Sequence, residues 1–142
     1  FIDQYFALYK KVKVYMEETV AQAKEVGYTL TLMNRKRYLP DLKSQNRQVR
    51  ESAERIAINS PVQGSAADLI KLAMIRLAEQ IRTKKLKSRM ILQVHDELVF
   101  ECPEDEEQEM RALVTKEMEE VMPLKVPLIV DIGWGENWNT AH

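Results

Sequence analysis

The sequence is poor in the residues that build covalent or metal frameworks. Cysteine occurs once, at Cys102, and histidine twice, at His95 and His142. A lone cysteine closes no internal disulfide, and without a CxxC pair or a histidine-rich stretch there is no zinc-type ligand set. The simplest compartment is the cytoplasm. No apolar run approaches the roughly 18 residues of a membrane span, so no membrane partner is expected, and the opening residues lack a secretory signal pattern. Only 4 glycines and 5 prolines interrupt 142 residues. Repeats and low-complexity segments are missing too, which leaves a folded, helix-rich chain. A dominant charge is also lacking. The 21 Lys and Arg residues against 22 Asp and Glu give a formal net charge of −1, so no global field draws the chain to a polyanion.

What is present suits one modest domain able to bury a core: 142 residues, 45% hydrophobic and 30% charged. The charge is unevenly spread. Between Arg35 and Arg55 the bases Arg35, Lys36, Arg37, Lys43, Arg47, Arg50 and Arg55 outnumber Asp41, Glu51 and Glu54. From Glu101 to Glu120 the balance inverts, and a run of glutamates with Asp105 faces only Arg111 and Lys116. One side suits a polyanion and the other repels it; two solvated surfaces explain the same pattern.

The apolar steps of three and four at Ile2, Tyr5, Phe6, Tyr9, Val12, Tyr15, Met16, Val20 and Ala23 predict one helix over 1–26, stopped by Gly27. The opening Phe1-Ile2-Asp3-Gln4-Tyr5-Phe6 has the pattern of a helix interior, so a piece of a longer polypeptide is expected. Tyr28 to Met33 alternates as a strand, Asn34 turns, and Arg37-Tyr38-Leu39 returns before Pro40, making a short basic hairpin. Ser44 is the expected cap of a helix to about Ile58. Asn59-Ser60-Pro61 is expected to break it, with a second helix over 62–83 whose core positions are Leu69, Leu72, Ala73, Ile75 and Leu77. Arg89–Val94 and Glu97–Glu101 are expected strands around a turn at His95-Asp96. A helix follows from Pro103 to near Val121, then a strand over Leu128–Gly133 and a tail from Trp134 to His142. Strands and helices mix without strict alternation, so the fold class is α+β with a mainly antiparallel sheet and several long packed helices.

The sharpest feature is Leu92-Gln93-Val94-His95-Asp96-Glu97-Leu98-Val99-Phe100-Glu101. Two adjacent carboxylates sit at the tip of a hairpin with apolar arms, and burying two like charges there is costly unless a cation joins them. Mg²⁺ is the natural partner for oxygen ligands, taking one or two carboxylates plus substrate phosphates. Alternatively, Asp96 and Glu97 merely mark a solvated turn, and His95 is a polar surface residue beside them.

A second cluster runs Arg55-Ile56-Ala57-Ile58-Asn59-Ser60-Pro61-Val62-Gln63-Gly64-Ser65-Ala66-Ala67-Asp68. Arg55 and Asn59 share a helical face, and Gln63 follows across the proline. Gly64 and the small Ser65, Ala66 and Ala67 permit close backbone approach. Asn and Gln both donate and accept, which suits the minor-groove acceptors common to all base pairs; a capped helix start with small packing residues is the plainer account. Asp68 and Lys71 are expected to be an ordinary surface pair. In the third stretch, Gly27 to Pro40, Arg35, Lys36 and Arg37 suit backbone phosphates, or are simply a solvated basic turn. In Val126 to Trp138, Trp134 and Trp138 are expected to pack onto the domain rather than stack on bases.

In this order, Gln93-Val94-His95-Asp96-Glu97-Leu98, the Arg55–Asp68 string, the Gly27–Pro40 hairpin and the closing Val126–Trp138 segment resemble the family A DNA polymerases of bacterial type. The likeness covers essentially the whole chain. One departure is Asn34, where the family has Gly; Asn tolerates positive φ, so the turn survives. The resemblance implies a C-terminal portion of the polymerase domain, spanning the latter palm with adjoining fingers-side helices, in the cytoplasm of a bacterium. It implies that Asp96 is a catalytic, metal-binding aspartate, that Glu97 is its auxiliary, and that His95 touches the primer end. Arg55, Asn59 and Gln63 would contact template–primer DNA, with Arg35, Lys36 and Arg37 on its phosphates. The expected cofactor is Mg²⁺ in a two-metal site, and the partners are template–primer DNA, dNTP and the remainder of the polymerase domain. Two family motifs, one carrying the other metal-binding aspartate and one carrying the residues for the incoming triphosphate, are absent here. The isolated chain is therefore expected to be inactive. A two-metal phosphodiesterase and a non-enzymatic nucleic-acid-binding module are the rival readings.

Overall fold

The computed structural model describes residues 2–141; Phe1, expected at the start of the first helix, and His142, expected in the tail, lie outside them. Two compact units are present, 1–68 and 69–142. No helix is long and apolar enough to cross a membrane among the described residues.

The first unit opens with two helices, α1 (Ile2–Leu8) and α2 (Lys10–Val26), rather than the single helix expected. The break falls at Tyr9, whose φ of −107° and ψ of 58° leave the helical region. A physical reason is at hand: α1 buries none of its residues, and helices draw most of their stability from a packed apolar face. Gly27 ends α2 as expected, with φ 84° and its N–H donating to the Ala23 carbonyl at 2.8 Å. Strands β1 (Tyr28–Leu30) and β2 (Lys36–Tyr38) form the antiparallel hairpin, with Tyr28 opposite Tyr38. Asn34 turns the chain at φ 61°.

A 3-10 turn over Pro40–Lys43 leads to α3 (Arg47–Thr83), a single helix of 37 residues with Pro61 inside it. Neither the expected start nor the expected break is found. The cap is Asn46, whose Oδ1 accepts from the backbone N–H groups of Gln48 at 2.9 Å and Val49 at 3.4 Å. Ser44 instead closes the preceding turn. Around Pro61, hydroxyls take up backbone carbonyls: Ser60 donates to Ile56 at 2.6 Å, Ser65 to Pro61 at 2.5 Å, and the Tyr15 hydroxyl to Ile58 at 3.0 Å. The proline removes the N–H that would reach the Ala57 carbonyl, and the helix continues through it all the same. The core here is Ala23, Leu39, Leu42, Ala53 and Ala57, with Val20 against it.

Asp68 is not the surface residue expected. Its side chain is only 8% exposed, while Lys71 is exposed. The carboxylate accepts the Thr31 hydroxyl at 2.5 Å and pairs with the Arg35 guanidinium. Close approach of the hairpin makes this burial possible. A Cβ added at Gly64 would lie 2.6 Å from the Thr31 methyl, and Ser65 Oγ accepts the Leu32 N–H at 2.9 Å.

The second unit pairs β3 (Arg89–Val94) with β4 (Glu97–Glu101) antiparallel, with a register irregularity between Met90 and Leu92. The two hairpins form separate antiparallel ribbons, and the class is α+β as expected. Helix α4 (Glu107–Glu119) buries Met110, Leu113 and Val114 against Leu77 of α3. Ala73 and Leu77 are core positions, whereas Ile75 is 64% exposed. The segment expected as a strand over Leu128–Gly133 joins no ladder. Side chains take its backbone groups instead: Glu119 accepts the Val130 N–H at 3.0 Å, and Arg111 donates to the Ile132 carbonyl at 3.2 Å. Val130 and Ile132 pack on the core. Trp134 lies under the Arg111 guanidinium at 5.7 Å, as packing predicts, while Trp138 in α5 (Trp138–Ala141) is about half exposed.

Glu106 clasps the entry to β3. Its carboxylate accepts the Lys87 N–H at 2.7 Å, the Ser88 N–H at 2.9 Å and the Ser88 hydroxyl at 2.6 Å. The Lys87 backbone bond first, then the Ser88 hydroxyl, hold its pKa below the ordinary 4.5. A depressed folded pKa contributes stability above the unfolded value, lost as pH falls through the folded one. Glu106→Gln should therefore lower the melting temperature near pH 7, and the gap from wild type should close as pH drops below the ordinary carboxylate range. Gly64 yields a separate expectation. Alanine in a helix interior gains ~1 kcal/mol over glycine, but overpacking costs about 1–3 kcal/mol. Gly64→Ala should thus destabilise, and adding Thr31→Ser, which removes the offending methyl, should reverse the sign; thermal unfolding of the two variants measures both.

Candidate nucleic-acid interface

On α3, Arg55, Asn59 and Gln63 are all exposed, while Ala53, Ala57 and Ser60 are buried. The helix runs unbroken through Pro61, so steps of four put the three side chains on one outward face. Asn59 and Gln63 each bring a donor and an acceptor to that face, and Arg55 brings a charge. Exposed Ile56 and Val62 lie beside them.

The basic hairpin belongs to the same unit. Its three cations are not equivalent. Arg35 is held by Asp68 and reaches the Gly64 carbonyl at 3.4 Å. Lys36 places its ammonium 4.5 Å from the Tyr28 ring centroid. Arg37 is exposed and, with Tyr38, lines an open groove shared with Gln48, Val49 and Ser52 of α3.

In the second unit, His95, Asp96 and Glu97 occupy successive positions at the β3–β4 tip, and all three are exposed. Val94 pairs with Glu97, so only His95 and Asp96 form the loop. His95 sits at φ 52°, in the left-handed region that a non-glycine residue enters at a cost. The Gln93 side-chain amide donates to the His95 carbonyl at 2.5 Å and braces the turn. The tip is thus the solvated turn of the alternative reading, not a carboxylate pair buried between apolar arms. A two-stranded ribbon covers one face only, and Ile91 and Leu92 of β3 remain largely exposed.

Asp96 and Glu97 bring hard carboxylate oxygens to an exposed turn. Among the described residues, no group of three or more His, Cys, Asp or Glu is gathered that could hold a metal ion. The tip fits Mg²⁺ as a partial donor set, since that ion takes one or two carboxylates and completes its shell with water and phosphate.

Sequence reasoning missed Thr31 and took Asp68 for half of a surface pair. The available signal was the run Gly64-Ser65-Ala66-Ala67, which announced a close approach but not the element approaching.

Residues 1–140 match the profile of the family described as DNA polymerase family A. The chain belongs to that family. Among relatives of this family A chain, the DNA polymerase I of Caldicellulosiruptor bescii is 53% identical over 138 residues, covering 97% of the chain and 16% of the relative. That of Bacillus subtilis is 50% identical over 141 residues, 99% of the chain and 16% of the relative. The thermostable DNA polymerase I of Thermus thermophilus is 51% identical over 141 residues, 99% of the chain and 17% of the relative. The family A segment described here therefore spans about a sixth of these relatives' length. A solved structure described as the POL domain of Pol1 from M. smegmatis, in complex with DNA primer-template and dNTP, superposes with a TM-score of 0.96. It is 51% identical, with 99% of this chain and 25% of that one covered.

Proposed function

We infer that this chain is the C-terminal portion of the polymerase domain of a longer bacterial DNA-directed DNA polymerase, acting in replication and repair. It would comprise the latter palm with fingers-side helices. The reaction is template-directed nucleotidyl transfer: the primer 3′-hydroxyl oxygen bonds to the α-phosphorus of a dNTP, the bond to the β-phosphate bridge breaks, and pyrophosphate leaves. The observation that carries this reading is the braced, exposed His95-Asp96-Glu97 tip in a chain of this family.

Asp96, with Glu97 as auxiliary, holds Mg²⁺ in this reading. A cation bound there supplies charge neutralisation at the phosphates and acidifies the primer hydroxyl. The chain's own residues do the positioning. His95 touches the primer end. Asn59 and Gln63 address minor-groove acceptors present at every base pair, so they sense pair geometry without reading sequence. Arg55 adds an always-charged donor on the same face. Lys36 and Arg37 of the hairpin meet phosphates, which adds affinity that falls with salt. Such positioning is worth several kcal/mol in a reaction with no protein-bound covalent intermediate.

Asp96→Asn in the full polymerase should nearly abolish incorporation while duplex affinity stays close to wild type; joint loss of both would mark Asp96 as a structural residue. The tip alone is a partial donor set, and the companion aspartate and triphosphate-binding residues lie outside this sequence. The isolated chain should accordingly show no primer extension with Mg²⁺ and dNTP, and measurable incorporation in a gel-based extension assay would contradict the assignment of the missing ligands.

A further inference from the structure

We propose that Arg35 is a positioning residue rather than a phosphate contact, and that with Asp68 and Thr31 it locks the basic hairpin to the Arg55–Gln63 helix. The inference rests on the reading above that hairpin and helix face duplex DNA.

Asp68 sets the argument. Its side chain is 8% exposed against 47% for Arg35. A carboxylate so buried needs partners, and a buried ion pair broken on one side leaves an uncompensated charge. Arg35 cannot turn to a phosphate without imposing that cost. The guanidinium also donates to the Gly64 carbonyl at 3.4 Å, one residue beyond Gln63.

Thr31 reinforces the lock from three directions. Its hydroxyl donates to Asp68 at 2.5 Å and accepts the Arg35 N–H at 3.1 Å, and its methyl fills the space that Gly64 leaves open. Leu32 adds a fourth link through Ser65. Hairpin residues 31–35 are thereby tied to one turn of α3, residues 64–68, immediately after Gln63.

Lys36 and Arg37, next along the hairpin, take part in no ion pair among the described residues. They remain available for phosphates, and the lock fixes their offset from Gln63. The lock thus makes a caliper: one jaw touches the minor-groove floor, the other the sugar-phosphate backbone. Width is read without reading sequence.

The test uses the full polymerase and a primer–template duplex, titrated by fluorescence anisotropy across KCl concentrations. Lys36→Ala and Arg37→Ala should each make the slope of log K against log salt shallower by about 0.9, as loss of one phosphate contact requires. Arg35→Ala should keep the wild-type slope yet weaken binding about tenfold, because a loosened hairpin must be ordered on binding. Asp68→Ala should weaken binding without a shallower slope, and the double variant should bind no worse than Asp68→Ala alone, since the two residues act as one unit. Should Asp68→Ala fail to fold, Asp68→Asn, which keeps an acceptor for Thr31 but loses the charge, should show the same behaviour in smaller measure. In steady state, KM for primer–template should rise more than kcat falls; a merely structural defect lowers the active fraction and with it kcat. A slope loss for Arg35→Ala equal to that of Lys36→Ala overturns the lock and leaves the duplex reading intact. A wild-type slope near zero overturns the duplex reading itself.

Discussion

A buried carboxylate holds the first unit together. Asp68 lies at the end of that unit's helical segment, and charge and hydroxyl partners reach it from a hairpin more than thirty residues upstream. The unit's apolar core is small, three alanines and two leucines. Polar groups tolerate such a place only when satisfied. Thr31 and Arg35 satisfy Asp68, Ser65 takes the neighbouring Leu32 N–H, and Gly64 clears the space for them. Hairpin residues 31–35 are thereby bonded to the turn of α3 that follows Gln63.

The second unit solves a different problem. A two-stranded ribbon is marginal alone, and here its inner face rests on α4 and α3 side chains. The outer face stays wet. That leaves the acidic tip exposed, held by Gln93 and by a strained His95 rather than by burial. Along the acid-rich stretch the charges are put to local use: Glu106 ties the chain before β3, Glu107 pairs with Arg111, and Glu119 caps an extended strand-like segment.

Much of this was legible in the order of residues. The Gly27 stop, the Asn34 turn, and the β3 and β4 boundaries follow from local chemistry that tertiary structure did not override. The tip at His95-Asp96-Glu97 was placed correctly for the same reason. What escaped notice depends on long-range partners. Pro61 signals a break to any local rule, yet the helix continues through it, with hydroxyls on the neighbouring Ile56, Ile58 and Pro61 carbonyls. Leu128–Gly133 has strand composition, but Arg111 and Glu119 occupy the backbone groups that a neighbouring strand would need. Asp68 has the local pattern of a surface acid, and only the hairpin folding over it takes it out of water.

The alanine-rich interface of α2 and α3 also shapes how the first unit responds to heat. Heat capacity of unfolding grows with the apolar area exposed, and methyl side chains expose little. Less curvature in stability between cold and warm is therefore expected of this unit than of one built on larger apolar side chains.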